Sequence, residues 1–284
     1  MNYTTLVSAT TLNQHINDPN WVVVDCRFSL ANCDAGGYAY RHGHLPHARY
    51  AHLNKDLSSD ITDYTGRHPL PNFALLATKL GAWGIANDTQ VIAYDDNGGA
   101  FAGRLWWLLR CLGHEKVAVL DGGIQNWQKQ SFSLTTALPI IKTVTYRPYQ
   151  NTALWLNASQ VQTSLAKKTI CLLDARTPER YRGEQEPIDP VAGHIPGALN
   201  RPFQLNLDNK GVFLSADSLR TQFKKLLGAT VPEQVVHYCG SGVTACHNLL
   251  AMEHAGLTGS KLYAGSWSEW IRDKNRMIAP NSGI

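Results

Sequence analysis

Charge is scarce in this 284-residue sequence: Asp, Glu, Lys and Arg together make up 17% of it, against about 25% in an average soluble domain. Hydrophobic residues reach 44%, enough to bury a sizeable core, which excludes an intrinsically disordered chain. There is no basic block. The 26 Lys and Arg are scattered against 22 Asp and Glu for a net charge of +4, so the electrostatic footprint of a nucleic-acid binder is missing, while small anions remain suitable partners. No apolar run approaches the roughly 18 residues of a membrane span. The first basic residue is Arg27, so the start lacks the charged segment of a secretory signal, and a cytoplasmic location without membrane contact is expected. The six cysteines include no CxxC pair, which argues against a disulfide framework and a zinc site. His42, His44 and His47 lack a thiol or carboxylate to complete a ligand set, so no metal or cofactor is expected.

What is present is an internal repeat. Val22-Val23-Val24-Asp25-Cys26-Arg27 is answered by Cys171-Leu172-Leu173-Asp174-Ala175-Arg176, and Gly43-His44-Leu45-Pro46 by Gly193-His194-Ile195-Pro196. Val91-Ile92-Ala93-Tyr94-Asp95 corresponds to Val235-Val236-His237-Tyr238-Cys239, and Val119-Leu120-Asp121-Gly122-Gly123 to Leu262-Tyr263-Ala264-Gly265-Ser266. Four landmarks in one order point to two domains of the same fold. Short apolar strands alternate with helical patterns, as in the 103–111 stretch after the strand at 91–94, which is the signature of an α/β fold with a parallel sheet flanked by helices. The Thr-rich stretch with Pro139 and Pro148 has no counterpart and reads as a linker. Domains are expected at 1–140 and 155–284, joined by 141–154.

The second copy carries the chemistry. A strand delivers Cys239 into Gly240-Ser241-Gly242-Val243-Thr244, and a helix follows. The C-terminal ends of strands in an open α/β sheet are where ligands sit. Glycines let successive backbone N–H groups converge on one point, and the helix adds its positive end, so such a loop holds an anion and favours a reactive thiolate. A buried, inert thiol is the ordinary alternative for any one cysteine. Here the equivalent position in the first copy is Asp95, so the scaffold has no need of sulfur at this place.

On these residues the chain resembles the tandem rhodanese-type sulfurtransferases, from about Trp21 to Trp270. The resemblance implies two rhodanese-like domains, only the second catalytic, with aspartate at the corresponding place in the first. Cys239-Gly240-Ser241-Gly242-Val243-Thr244 is similar to the active loop of the 3-mercaptopyruvate branch; thiosulfate-preferring members carry arginine and lysine where this chain has Gly240 and Ser241. The implied reaction is attack by Cys239 on a small anionic sulfur donor, a persulfide held by the amides of residues 240–244, and delivery to cyanide, a thiol or a thioredoxin-like protein, without a cofactor. Arg180 matches a substrate-binding arginine suited to a carboxylate. A second arginine of that branch is replaced by Ile188, with Arg182 a substitute. Ser241 is placed as a hydrogen-bond donor or proton relay at the leaving group, and the family's serine, histidine and aspartate grouping maps to Ser241, His44 and Asp34. His194, at the position repeated from His44, supports instead a local turn role for both histidines.

Asp174 and Arg176 recur as Asp25 and Arg27 in the copy without the thiol, so they are expected to form a structural ion pair. A cysteine phosphatase would need an arginine six residues after the nucleophile, where Ala245 stands. The remaining alternatives are a thiosulfate sulfurtransferase and a noncatalytic persulfide carrier. With no cation inside the loop and one arginine beside it, 3-mercaptopyruvate is the expected donor.

Overall fold

The computed structural model describes residues 2–279. Its strands are β1 (Leu6–Val7), β2 (Trp21–Asp25), β3 (Arg49–Tyr50), β4 (Gln90–Tyr94), β5 (Val117–Leu120), β6 (Trp155–Leu156), β7 (Cys171–Asp174), β8 (Leu199–Asn200), β9 (Val235–Tyr238) and β10 (Lys261–Tyr263). They form two five-stranded sheets of the same order, β1-β5-β4-β2-β3 and β6-β10-β9-β7-β8, and every pairing within them is parallel. The repeat read from sequence is thus a repeat of topology. Val22, Val23 and Val24, and Val235 and Val236, are all buried, as expected of parallel strands covered on both faces, where β-branched residues run without polar alternation.

Helices cross between the strands. The helix Ala102–Cys111 follows β4 and Ala245–His254 follows β9, and both are buried on nearly every side. Ala158–Ala166 is started by a capping box, with Asn157 accepting from Gln160 N–H and the Gln160 side chain accepting from Asn157 N–H. That satisfies two donors at the helix start. One core gathers around Trp127 with Val23, Ile92, Tyr94 and Leu120; the other gathers around Trp267 with Leu172, Val236, Tyr238 and Tyr263.

The division into units is not linear. One unit holds the chain up to Ser59, Leu70–Thr152 and Asn209–Phe213; the other holds Asp60–Pro69, Ala153–Asp208 and the chain from Leu214 onward. Asp60–Pro69, which a cut near residue 140 assigns to the first domain, therefore packs with the second. This exchange governs the composition of the site. No helix of the described residues is long and apolar enough to cross a membrane.

Candidate active site

β9 ends at Tyr238, and Cys239 follows immediately, 2% exposed. Its backbone is pinned on both sides: Cys239 N–H donates to Ser266 Oγ (3.1 Å) and Trp267 N–H donates to Cys239 O (3.0 Å). Gly242 then turns the loop at φ +75°, and a Cβ there would lie 2.2 Å from Ala264 O. A non-glycine residue would open the loop, since the clash is with backbone. Ser241 and Val243 are buried and Thr244 half-buried at the mouth of the helix that starts at Ala245.

The corresponding loop of the first unit shows what this geometry holds. Asp95 is fully buried, and its carboxylate accepts four backbone N–H groups: Asn97 (2.9 Å) and Gly99 (2.8 Å) on Oδ1, Phe101 and Ala102 (2.8 Å each) on Oδ2. The turn is an anion nest filled by its own side chain. By the repeat the matching residues are Ser241, Val243, Ala245 and Cys246, but the two loops are not identical: Val243 stands where Gly99 has φ +93°, and Cys246 N–H donates to Val243 O (3.0 Å).

Next to the loop runs an alternating chain of charges. Arg176 donates to Asp174 (2.7 Å) and to Glu186 (3.2 Å). Glu186 also takes Arg180 through both carboxylate oxygens, at 2.7 to 3.1 Å. Arg180 reaches Asp189 (3.2 Å), and Asp189 binds Arg67 through its other oxygen. Three cations alternate with three anions, and Asp189 bridges the last two guanidiniums with a side chain 2% exposed. Burial works against the charge of Arg67, as do Arg180 and Arg176, while Cys239 and Glu186 favour it. The Arg67 Nε–H is buried without an acceptor.

This corrects the expectation of a single cation beside the loop. A Cβ on Gly240 would meet Arg67 Nη2 at 2.8 Å and Arg180 Nη2 at 3.4 Å, so two guanidiniums press on the residue after Cys239, and Gly240 is the space they require. Arg182 supplies no charge here. It is exposed and held by Glu184 at 2.7 Å. Ile188 is exposed, and its N–H is fixed by Glu186 (3.1 Å).

Ser241 meets a histidine, but not the one mapped from sequence. His68 Nδ1 lies 2.7 Å from Ser241 Oγ, with both side chains buried. The neighbouring Arg67 N–H donates to Ser268 Oγ (3.0 Å), which anchors the 60–69 segment in the second unit. His44 belongs to the first unit, where it is fully buried with Nδ1 2.7 Å from Tyr40 O and Nε2 3.2 Å from Ala137 O. His194 repeats the arrangement: its Nδ1 is 2.9 Å from Tyr181 O, and its ring stacks on Tyr181 at 3.9 Å as His44 stacks on Tyr40 at 4.0 Å. Both are turn histidines. Asp34 is an exposed residue ahead of the helix Ala35–His42 and makes no side-chain capping bond.

Asp25 and Arg27 form the buried pair anticipated for the first copy, at 2.6 Å, and Asp174 and Arg176 form it again in the second. Burial and Asp174 raise the Tyr238 phenol well above its ordinary value, so it stays neutral and donates. Arg176 also stacks over Trp267 at 4.7 Å. The repeated pair ties a strand end to its neighbouring loop, and in the second unit Arg176 extends that tie into the charge chain.

The fold and this loop define a rhodanese-type protein, and comparison with known proteins agrees. The rhodanese-like domain family matches twice, over residues 8–130 and 157–273, and the chain belongs to that family. It is 45% identical over 276 residues to the Pseudomonas aeruginosa protein named "Probable 3-mercaptopyruvate sulfurtransferase", covering 96% of this chain and 97% of that protein. It is 33% identical to the thiosulfate sulfurtransferase of Rattus norvegicus, covering 95% of this chain and 93% of that protein. The crystal structure of a 3-mercaptopyruvate sulfurtransferase, SseA from Escherichia coli, superposes with a TM-score of 0.80 at 30% identity, over 94% of this chain and 100% of that one.

Proposed function

We propose that this chain transfers sulfur from 3-mercaptopyruvate to a thiol or cyanide acceptor through a persulfide on Cys239. The observation that carries the reading is the position of Cys239: the strand-end loop that closes four amides on the Asp95 carboxylate in the first unit presents a buried thiol, Cys239, in the second. In the first half-reaction the Cys239 thiolate attacks the donor sulfur and the carbon–sulfur bond breaks. The electron pair passes to carbon as the enolate of pyruvate, which then takes a proton. Ser241, set by His68, donates toward that developing charge. Arg180 and Arg67 attract the donor's carboxylate. In the second half-reaction the acceptor attacks the outer sulfur, and the Cys239 thiolate is restored. The amides of Ser241, Val243 and Ala245 hold the negative sulfur throughout.

Free cysteines throughout the chain suit a cytoplasmic setting, with small thiols or a thioredoxin-like protein as acceptors. A second reading, thiosulfate as the donor, is favoured by Arg67, since a dianion gains most from two guanidiniums. Two measurements test the proposal. Incubation with 3-mercaptopyruvate should add one sulfur atom to the Cys239 peptide and to no other, and Cys239→Ser should abolish both the adduct and turnover. Steady-state kinetics with the two donors then decides between them: a higher kcat/KM for thiosulfate would replace the first reading by the second. Persulfide formation or turnover in Cys239→Ser protein would refute both.

A further inference from the structure

The charge chain ends in an arrangement that a donor-binding arginine does not need. Arg67 and Arg180 are the guanidiniums that flank Gly240, yet each already binds a carboxylate, and it is the same one, Asp189. Asp189 is almost completely enclosed, and its own N–H is held by Glu186 Oε1 at 3.1 Å, so it is fixed in place. Glu186 separately takes Nε and Nη2 of Arg180 and Nη1 of Arg176. The result is electrical neutrality beside the nucleophile: three arginines against Asp174, Glu186 and Asp189. An arriving anion therefore meets guanidiniums that each already bind a carboxylate.

We propose that Asp189 is an internal counter-anion that competes with the donor for Arg67 and Arg180, and so determines how strongly the site responds to donor charge. This rests on the reading of the loop as a sulfur-transfer site. A carboxylate bridging two guanidiniums stands in for the anionic group of the substrate. Binding a donor means sharing or breaking the Asp189 contacts and meeting the Asp189 charge itself, and that repulsion grows with donor charge. Asp189 thus holds back donor binding and keeps the arginines from retaining anionic products. The unpartnered Nε–H of Arg67 leaves that guanidinium incompletely satisfied while Asp189 is bound.

The test separates charge from shape. Thiosulfate and pyruvate are titrated calorimetrically into full-length Cys239→Ser and Cys239→Ser/Asp189→Asn protein at low and high ionic strength. Removing the carboxylate should tighten thiosulfate about tenfold and pyruvate about threefold, the scale of one partly screened charge contact. Both gains should shrink with salt. Absent, unchanged or weaker binding in the double variant would overturn the proposal, since Asp189 would then only hold the arginines in position. An equal, salt-independent gain for both probes would overturn it as well, because that is the mark of added space. In steady state, Asp189→Asn should raise the thiosulfate to 3-mercaptopyruvate ratio of kcat/KM while Asp189→Glu keeps the wild-type ratio; an unmoved ratio in the Asn variant refutes the idea. Wild-type protein that turns over neither donor would defeat the proposed function, and the calorimetric comparison would still judge Asp189 by itself.

Discussion

His237 makes the second unit sensitive to acid, and the size of the effect follows from its surroundings. It sits in β9 between β7 and β10, opposite Leu173 and Leu262, on the strand face away from Val236 and Tyr238. It is completely buried, and neither ring nitrogen has a hydrogen-bond partner. Burial alone pushes its pKa down from 6.5 to about 3. A histidine with a depressed folded value leaves the unfolded chain binding more protons between those limits. Stability is therefore complete above 6.5, falls as the pH drops and levels off below about 3. The loss from this one residue is about 2 kcal/mol at pH 5 and about 3 kcal/mol at pH 4. Replacing it with leucine, of similar volume, removes the titration and two unsatisfied polar atoms, each costing on the order of 1 kcal/mol. Urea unfolding of wild type and His237→Leu at pH 7.5, 5 and 4 should show the variant about 2 kcal/mol more stable at neutral pH and increasingly so in acid. Parallel stability curves would refute the reasoning, because a partnered or hydrated His237 would titrate alike in both states.

Two further outcomes follow from the site. Ser241→Ala and His68→Asn should each lower kcat about 100-fold with little change in KM, and the double variant should be no slower than either single one, since the two act as a unit; multiplicative losses would separate them. Asp95→Asn keeps two acceptor contacts and turns an NH2 group toward the other two amides, so the first unit should lose about 3 kcal/mol in chemical denaturation. Turnover per folded molecule should be unchanged, and an unaffected denaturation midpoint would show that the nest does not need its anion.

The parts of the molecule that recur were legible from sequence, because a repeat supplies its own control. Aligned strand ends gave the parallel α/β architecture, and the contrast between Asp95 and Cys239 singled out the thiol loop. The pairing of Asp25 with Arg27 and of Asp174 with Arg176 was readable for the same reason. The parts that occur once were not. Arg67 and His68 lie in Asp60–Pro69, which packs with the unit to which it is not contiguous, as Asn209–Phe213 does in the opposite direction; that shorter segment has neither an arginine nor a histidine to match them. A linear domain boundary therefore hid the second guanidinium and the partner of Ser241. His44 was placed at the site by analogy, although its repetition as His194 already marked it as a turn residue. The one available signal was local: Arg67-His68-Pro69-Leu70-Pro71 puts a cation and a histidine in a proline-stiffened segment rigid enough to present them.

The nest around Asp95 has a consequence for the working loop. The first unit folds around the Asp95 carboxylate with four converging amides and no cation in the turn. The turn is thus built for one negative charge, whichever atom bears it. In the proposed cycle the resting thiolate and the loaded persulfide each carry one negative charge and differ by one sulfur atom in length. Loading Cys239 therefore changes the reach of the nucleophile without changing the charge that the loop must balance. The intermediate requires no electrostatic reorganisation of the backbone that holds it, and both half-reactions can run on a fixed scaffold.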